Sequence, residues 1–187
     1  LDYNNGVIAT AATRNVQGTG GTPALLTISD GPTFDYGTKA TGSSTDQTLT
    51  ITNSGAVTAT GLAGLGLASP FQFKDGSYPG TGGSCVLTLA AAASCTIVVT
   101  YEPLAVGAHS DDIQINYNNG AIATNTTRNV IGTGANPALL GISNGPTHDF
   151  GSVTTGATQT QTFTVTNTGG VAATALADTA ALAAPFN

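Results

Sequence analysis

The chain repeats itself at long range, and that repetition limits its folds more than any other feature. Tyr3-Asn4-Asn5-Gly6 recurs as Tyr117-Asn118-Asn119-Gly120, Pro23-Ala24-Leu25-Leu26 as Pro137-Ala138-Leu139-Leu140, and Gly31-Pro32-Thr33 as Gly145-Pro146-Thr147, always 114 positions apart. Residues 1–20 and 115–134 are identical at 14 of 20 positions. The register holds until the loop before Phe71, where the later copy, ending in Pro185-Phe186, is one residue longer. A period of 114 exceeds a solenoid turn or a propeller blade, which run to about 20–50 residues. It suits one whole immunoglobulin-like β-sandwich, about 100 residues long. The repeat therefore predicts the C-terminal strands of one unit over residues 1–20, a complete unit over 22–134, and the N-terminal half of another over 136–187. The two end pieces together fall short of one period, so they are not expected to complete each other. The chain is expected to be a window on a longer tandem array. Its connections, Gly18 to Pro23 and Gly132 to Pro137, are short and end in proline, which restrains the residue before it. They are read as joints of limited swing rather than long tethers.

Composition points to strands. Thr, Ala and Gly together make 86 of 187 residues, charged residues only 7%, and there is one Glu. A helical bundle needs many charged helix formers on its wet faces, and disorder needs fewer apolar residues and more charge. The expected class is all-β, with a neutral, hydroxyl-rich surface. Thr48 to Asn53 and Thr162 to Asn167 alternate hydroxyl and apolar residues, the period of a half-buried strand. Leu25 to Ser29, Thr96 to Tyr101 and Asp111 to Tyr117 are further strands, and Asn119-Gly120 fits a hairpin turn needing positive φ. The Ala-rich stretch 171–184 invites a helix. Its counterpart 57–69 carries Gly61, Gly64 and Gly66, each costing about 1 kcal/mol in a helix, so both are expected as strand and loop. Phe34, Tyr36, Phe71, Phe73, Tyr101 and Tyr117 are expected in the core, and Tyr78 as the exposed aromatic.

Cys85 and Cys95 are the only cysteines. Strand, turn and strand between them would bring the sulfurs together, closing a small loop worth roughly 2–3 kcal/mol in an oxidising compartment. Two alternatives stay open: a metal site, which would need further ligands that the two distant histidines do not offer, and free buried thiols.

At this point the residues resemble a known family. Gly83-Ser84-Cys85, an Ala-rich turn, then Ala93-Ser94-Cys95 running to Tyr101-Glu102-Pro103 and Gly107, is similar to the bacterial choice-of-anchor D repeat. That family is related to the ASH and major-sperm-protein immunoglobulin-like folds. Phe34-Asp35-Tyr36-Gly37, Thr50 to Gly55 and the closing Asn129 to Gly134 support the likeness. The resemblance implies a large secreted or surface-anchored protein in which such modules act as spacers or adhesive units.

Charge and motifs exclude other classes. Four basic residues face ten acidic ones, for a net charge of −6, so the clustered cations that nucleic acid or an anionic membrane surface requires are missing. No apolar run reaches the roughly 18 residues of a membrane span. No signal peptide is recognised, and the absence of Met suggests a processed chain or an internal fragment. His109-Ser110-Asp111 resembles a triad on paper, but neighbours on a strand point to opposite faces. His148 aligns with Phe34 and reads as a partly buried aromatic substitute. Asp111-Asp112 and Asp75 gather too few oxygens for calcium and read as solvated loop charge. Lys39 becomes Val153 in the later copy, against a repeat-wide isopeptide bond. Gly76 to Gly83 lacks the Lys-Ser/Thr ending of a phosphate loop and reads as a surface loop. No catalytic residue, metal or cofactor is expected.

The expected function is a non-catalytic structural repeat of a secreted or cell-surface protein, forming a stalk, fibre or filament. Its partners would be neighbouring repeats or identical chains, paired through Thr-rich edge strands that lack lysine. The alternatives are an adhesin that binds a ligand through a loop carrying Lys74, Asp75 and Tyr78, and an accessory module of an exported enzyme.

Overall fold

The computed structural model describes residues 1–178 and 182–186. The strands are β1 (Asp2–Asn4), β2 (Ala9–Ala11), β3 (Leu26–Ile28), β4 (Thr33–Ala40), β5 (Thr45–Asn53), β6 (Ala59–Gly64), β7 (Phe71–Phe73), β8 (Thr88–Leu89), β9 (Ser94–Tyr101), β10 (Gly107–Asn118), β11 (Ala123–Ala135), β12 (Leu140–Ile142) and β13 (Val165–Asn167). A single short 3₁₀ turn, Lys74–Gly76, is the only helical element among the described residues. The all-β expectation holds.

Two sheets form a sandwich. One has the order β3-β5-β9-β7 and the other β4-β11-β10-β6-β8. All neighbours are antiparallel except β4 and β11, which run parallel from Thr33↔Asn129 to Ala40↔Ala135. Alternation sets the register. In β10, Ile113, Ile115 and Tyr117 face inward and are at most 5% exposed, with polar residues between them. Leu49 and Ile51 of β5, and Ile97, Val99 and Tyr101 of β9, supply the facing layer and are fully buried. Each such side chain contributes about 1.5–3 kcal/mol through burial. Tyr36, Phe71 and Tyr101 stack into an aromatic cluster with centroids 4.9 to 5.9 Å apart. Of the six aromatics expected in the core, five are buried and Phe34 is partly buried against them.

Two polar residues tie the layers together. Asn53 is fully buried. Its Oδ1 accepts from the amides of Leu25 and Gly55, and its Nδ2 donates to the carbonyls of Val57, Leu89 and Ala90. Arg128 of β11 reaches the opposite sheet and donates to the carbonyls of Ile28 and Ser29.

Outside the sandwich, β1 pairs with β2 and β12 with β13. Local bonding there repeats that of the sandwich. Asn119 Oδ1 accepts from Ala121 and Ile122 N, as Asn5 Oδ1 does from Val7 and Ile8 N. Asn167 accepts from Leu139 and Gly169 N and donates to Val171 O, matching three bonds of Asn53. Ser143 Oγ accepts from Thr164 N as Ser29 Oγ does from Thr50 N. Recurring short sequences thus close matching local bonds, because Asn and Ser side chains bond backbone a few residues away or across one strand pair.

The Asn119-Gly120 hairpin forms, with Gly120 at φ +93°, and β11 begins only at Ala123 because the turn extends to Ile122. Residues 57–69 form β6 and a loop, and 171–178 contain no helix; residues 179–181 of the later stretch lie outside the described residues. Asp111 and Asp112 differ from expectation. They lie in β10, where Asp111 Oδ2 accepts from Ala68 N and Asp112 Oδ1 from Asn129 Nδ2. The long β10–β11 hairpin carries its pairing past the core, so these carboxylates are strand residues with protein donors.

Candidate functional site: a stapled loop and a joint

The first candidate region follows β7. Phe73 ends the strand, Lys74 to Gly76 turn, and the glycine-rich segment then runs beside β9. Val98 N donates to Pro79 O, and Ser84 and Cys85 N both donate to Thr96 O. The segment thus continues the edge that the three-residue β7 leaves, and so hides it. Glycine is required for this approach: a Cβ on Gly83 would stand 3.0 Å from Thr96 O, and one on Gly80 would collide with Val98 O. Cys85 and Cys95 are disulfide-bonded, with Cα atoms 4.9 Å apart, and are buried. The staple fixes the end of the loop to β9.

Lys74, Asp75 and Tyr78 line one shallow surface cleft together with Ser77, Pro79 and Gly80 to Gly83, but Lys74 and Tyr78 also have partners within the fold. Lys74 Nζ lies 2.7 Å from Asp46 Oδ2, and Thr100 Oγ1 donates to Asp46 Oδ1 at 2.6 Å. Hydrogen bonds from Lys74 and then Thr100 hold the Asp46 carboxyl below its usual range. The same partner raises the Lys74 ammonium. Asp75 sits at φ 62°, the left-handed region that Asp tolerates in tight turns. Tyr78 corrects an expectation. It is half-buried, packing edge-on against Phe73 with centroids 5.5 Å apart, and burial raises its phenol. Gly64 makes room for this pair, since a Cβ there would lie 2.6 Å from Phe73 and 2.7 Å from Tyr78.

Other candidates have structural partners. His109 Nδ1 lies 2.9 Å from Tyr101 Oη, while Asp111 bonds Ala68, so His109, Ser110 and Asp111 form no relay. His148 packs edge-on against Phe150 and Phe163, at 4.7 and 5.5 Å, as an aromatic substitute would. Among the described residues, no three His, Cys, Asp or Glu side chains gather around a common point.

The edges also differ from the lysine-free expectation. Edge strand β4 carries Lys39, and its register with β11 shifts near Gly37, which sits at φ 70°. A lysine and an irregularity on an edge both oppose pairing with another chain.

The second region is the joint after β11. Ala135 pairs with Ala40, and its carbonyl accepts from Thr41 N at 2.8 Å. The next residue, Asn136, accepts from Gly170 N at 2.9 Å. Ala135 Cβ would stand 2.9 Å from a Cβ on Gly170. Consecutive residues are therefore bound to the sandwich on one side and to the β12–β13 segment on the other. The earlier joint repeats this contact: Ala56 N donates to Thr22 O, and a Cβ on Gly21 would stand 3.4 Å from Ala56 Cβ and from a Val57 methyl. The short linkers are legible in the sequence, but the bonds of Ala56 N to Thr22 and of Gly170 N to Asn136 are not, since bonds to loops 34 residues downstream leave no local pattern. Asn53 and Arg128 were missed for the same reason.

No curated protein matches the sequence. Among solved structures, the Vibrio cholerae VesB protease is 17% identical with a TM-score of 0.44, over 58% of this chain and 31% of that one. The ASH/PapD-like domain 7 of human CEP192 is 13% identical with a TM-score of 0.45, over 68% of this chain and 98% of that domain. The Vibrio cholerae secreted serine protease VesC is 19% identical with a TM-score of 0.37, over 54% and 21%. The chain thus spans about a third or less of either protease. The match to a family extends over residues 29–132, from the end of β3 almost to the end of β11. The chain belongs to the HYDIN/CFA65/VesB-like Ig-like domain family.

Proposed function

We propose that this chain is a non-catalytic spacer: successive Ig-like units of a tandem array in a secreted or surface-attached bacterial protein of the choice-of-anchor D kind. The array acts as a stalk. The observation that carries this reading is the joint at Ala135 and Asn136, where adjacent residues bond opposite sides. Such a joint transmits orientation from one unit to the next, which a spacer requires and a flexible tether does not supply. Recurrence of the Asn53 network at Asn167 supports a second unit of the same build. The Cys85–Cys95 disulfide fits an oxidising location. Lys39 and the irregular β4 edge favour end-to-end spacing over strand-paired fibres. The adhesin reading is weaker, because Lys74 and Tyr78 are engaged within the fold.

Force spectroscopy on the native protein tests the stalk. A regular train of unfolding peaks is expected. A 114-residue period releases about 350 Å per unit with the disulfide intact, and about 35 Å more after reduction. Irregular peaks, or spacings that ignore reductant, would overturn the reading.

A further inference from the structure

A shallow groove of about 550 Å³ crosses β6, β10 and β11 where the β10–β11 hairpin nears its turn. Thr60, Gly61, Asn116, Asn118, Thr124 and Asn125 line it. It lies apart from the cleft of Lys74 to Gly83 and shares no residue with it. An irregularity in the sheet accompanies it. Asn116 pairs with Ala63 but Asn118 with Thr60, so two steps along β10 face three along β6. Gly61 lies in this step at φ 64°, and a Cβ there would meet nothing within 4 Å. Such a bulge bends its strand and interrupts the ladder, which leaves open space beside bare glycine backbone.

Three carboxamides share this face. Ile115 and Tyr117 are buried in the core, so Asn116 and Asn118 point out of the sheet. Asn125 pairs with Asn116, which sets the two side chains on one face about 5 Å apart. Their bonding within the protein is incomplete. Asn116 Oδ1 accepts from Gln114 Nε2, and Asn118 Oδ1 from Gly120 N. The Nδ2 groups of both, and the whole Asn125 amide, have no partner among the described residues. Asn129, further along the same face, is the contrast: its Nδ2 donates to Ser110 Oγ, Asp111 O and Asp112 Oδ1.

We propose that this groove binds a neutral saccharide. A carboxamide donates and accepts at once, as each sugar hydroxyl does, and the volume falls in the range of small-ligand sites. Among the described residues, none that lines the groove is charged, and the chain's net charge of −6 opposes an acidic ligand. The repeat points to the same residues. Hairpins 1–20 and 115–134 share 14 of 20 positions, and two of those that differ form one cross-strand pair: Asp2 and Ala11 stand where Asn116 and Asn125 do. The earlier hairpin pairs in the same register without the amides, so strand pairing does not require them. The proposal goes beyond the spacer reading, which stands or falls separately.

NMR of the whole chain, titrated with maltose, cellobiose, lactose and diacetylchitobiose, tests it. Saturable shifts at residues 60–61, 116–118 and 123–125, and at the Asn side-chain amides, are expected with at least one of these sugars, at the millimolar affinity of an open groove. N116D/N125A installs the pair of the earlier hairpin. It is expected to weaken binding about tenfold or more, because a carboxylate cannot donate and alanine offers neither group. Core amides should keep their positions in that variant. No saturable shift at these residues with any of the sugars would overturn the proposal. Undiminished binding by N116D/N125A would also overturn it, as would shifts centred on residues 74–83 or a preference for anionic glucuronate over the neutral sugars.

Discussion

The ring of Tyr101 lies directly over Gly132: a Cβ at that glycine would stand 2.7 Å from two ring carbons. The glycine is therefore a steric requirement of the aromatic cluster, and not a source of chain freedom. Gly132→Ala should destabilise the sandwich by about 1–3 kcal/mol, the usual cost of overpacking. Urea denaturation measures it.

Asn53 accepts two backbone amides and donates to three carbonyls while fully buried. Asn53→Ala leaves those groups without it in a dry setting, where each unsatisfied group costs about 1–3 kcal/mol. A loss of at least about 3 kcal/mol is expected. Asn53→Asp should rescue little, because a carboxylate cannot donate to the carbonyls of Val57, Leu89 and Ala90. Chemical denaturation of the three proteins separates these outcomes.

The disulfide closes a sequence separation of 10. Restricting so short a loop in the unfolded chain is worth about 2–3 kcal/mol. Reduction, or the double change Cys85→Ala and Cys95→Ala, should lower the Tm by about 10 °C. Calorimetry with and without reductant checks this.

Tyr36 is 5% exposed and its hydroxyl donates to Val99 O at 2.8 Å. Burial, and then the charge of Asp46, push its phenol above the ordinary tyrosine range. Burial raises Tyr101 in the same direction. The folded state thus keeps these phenols neutral where the unfolded chain releases their protons. Their contribution is complete below the unfolded value of about 10 and is lost as pH rises above it. Stability measured from pH 8 to 12 should fall steeply past about pH 10. Tyr36→Phe should lose about 1 kcal/mol at neutral pH and show a shallower alkaline decline. Equal slopes would show that Tyr36 is not the group responsible.

The all-β class, several of the strands and the recurrence of short motifs were legible in the amino-acid order alone. Each rests on local periodicity: hydroxyl and apolar alternation in Thr48 to Asn53, turn chemistry at Asn119-Gly120, identical words 114 positions apart. Such signals survive without knowing what lies across the sheet. The rest came from packing in three dimensions. It turned Tyr78 inward onto Phe73, engaged Lys74 with Asp46, gave Asp111 and Asp112 protein donors, and made Asn53 and Arg128 ties between distant segments. It also bound Ala135 and Asn136 to opposite sides of the joint. All but the Tyr78–Phe73 contact join residues at least 17 positions apart, and their geometry comes from the stacking of two sheets and the path of one strand out of them, which no local pattern encodes.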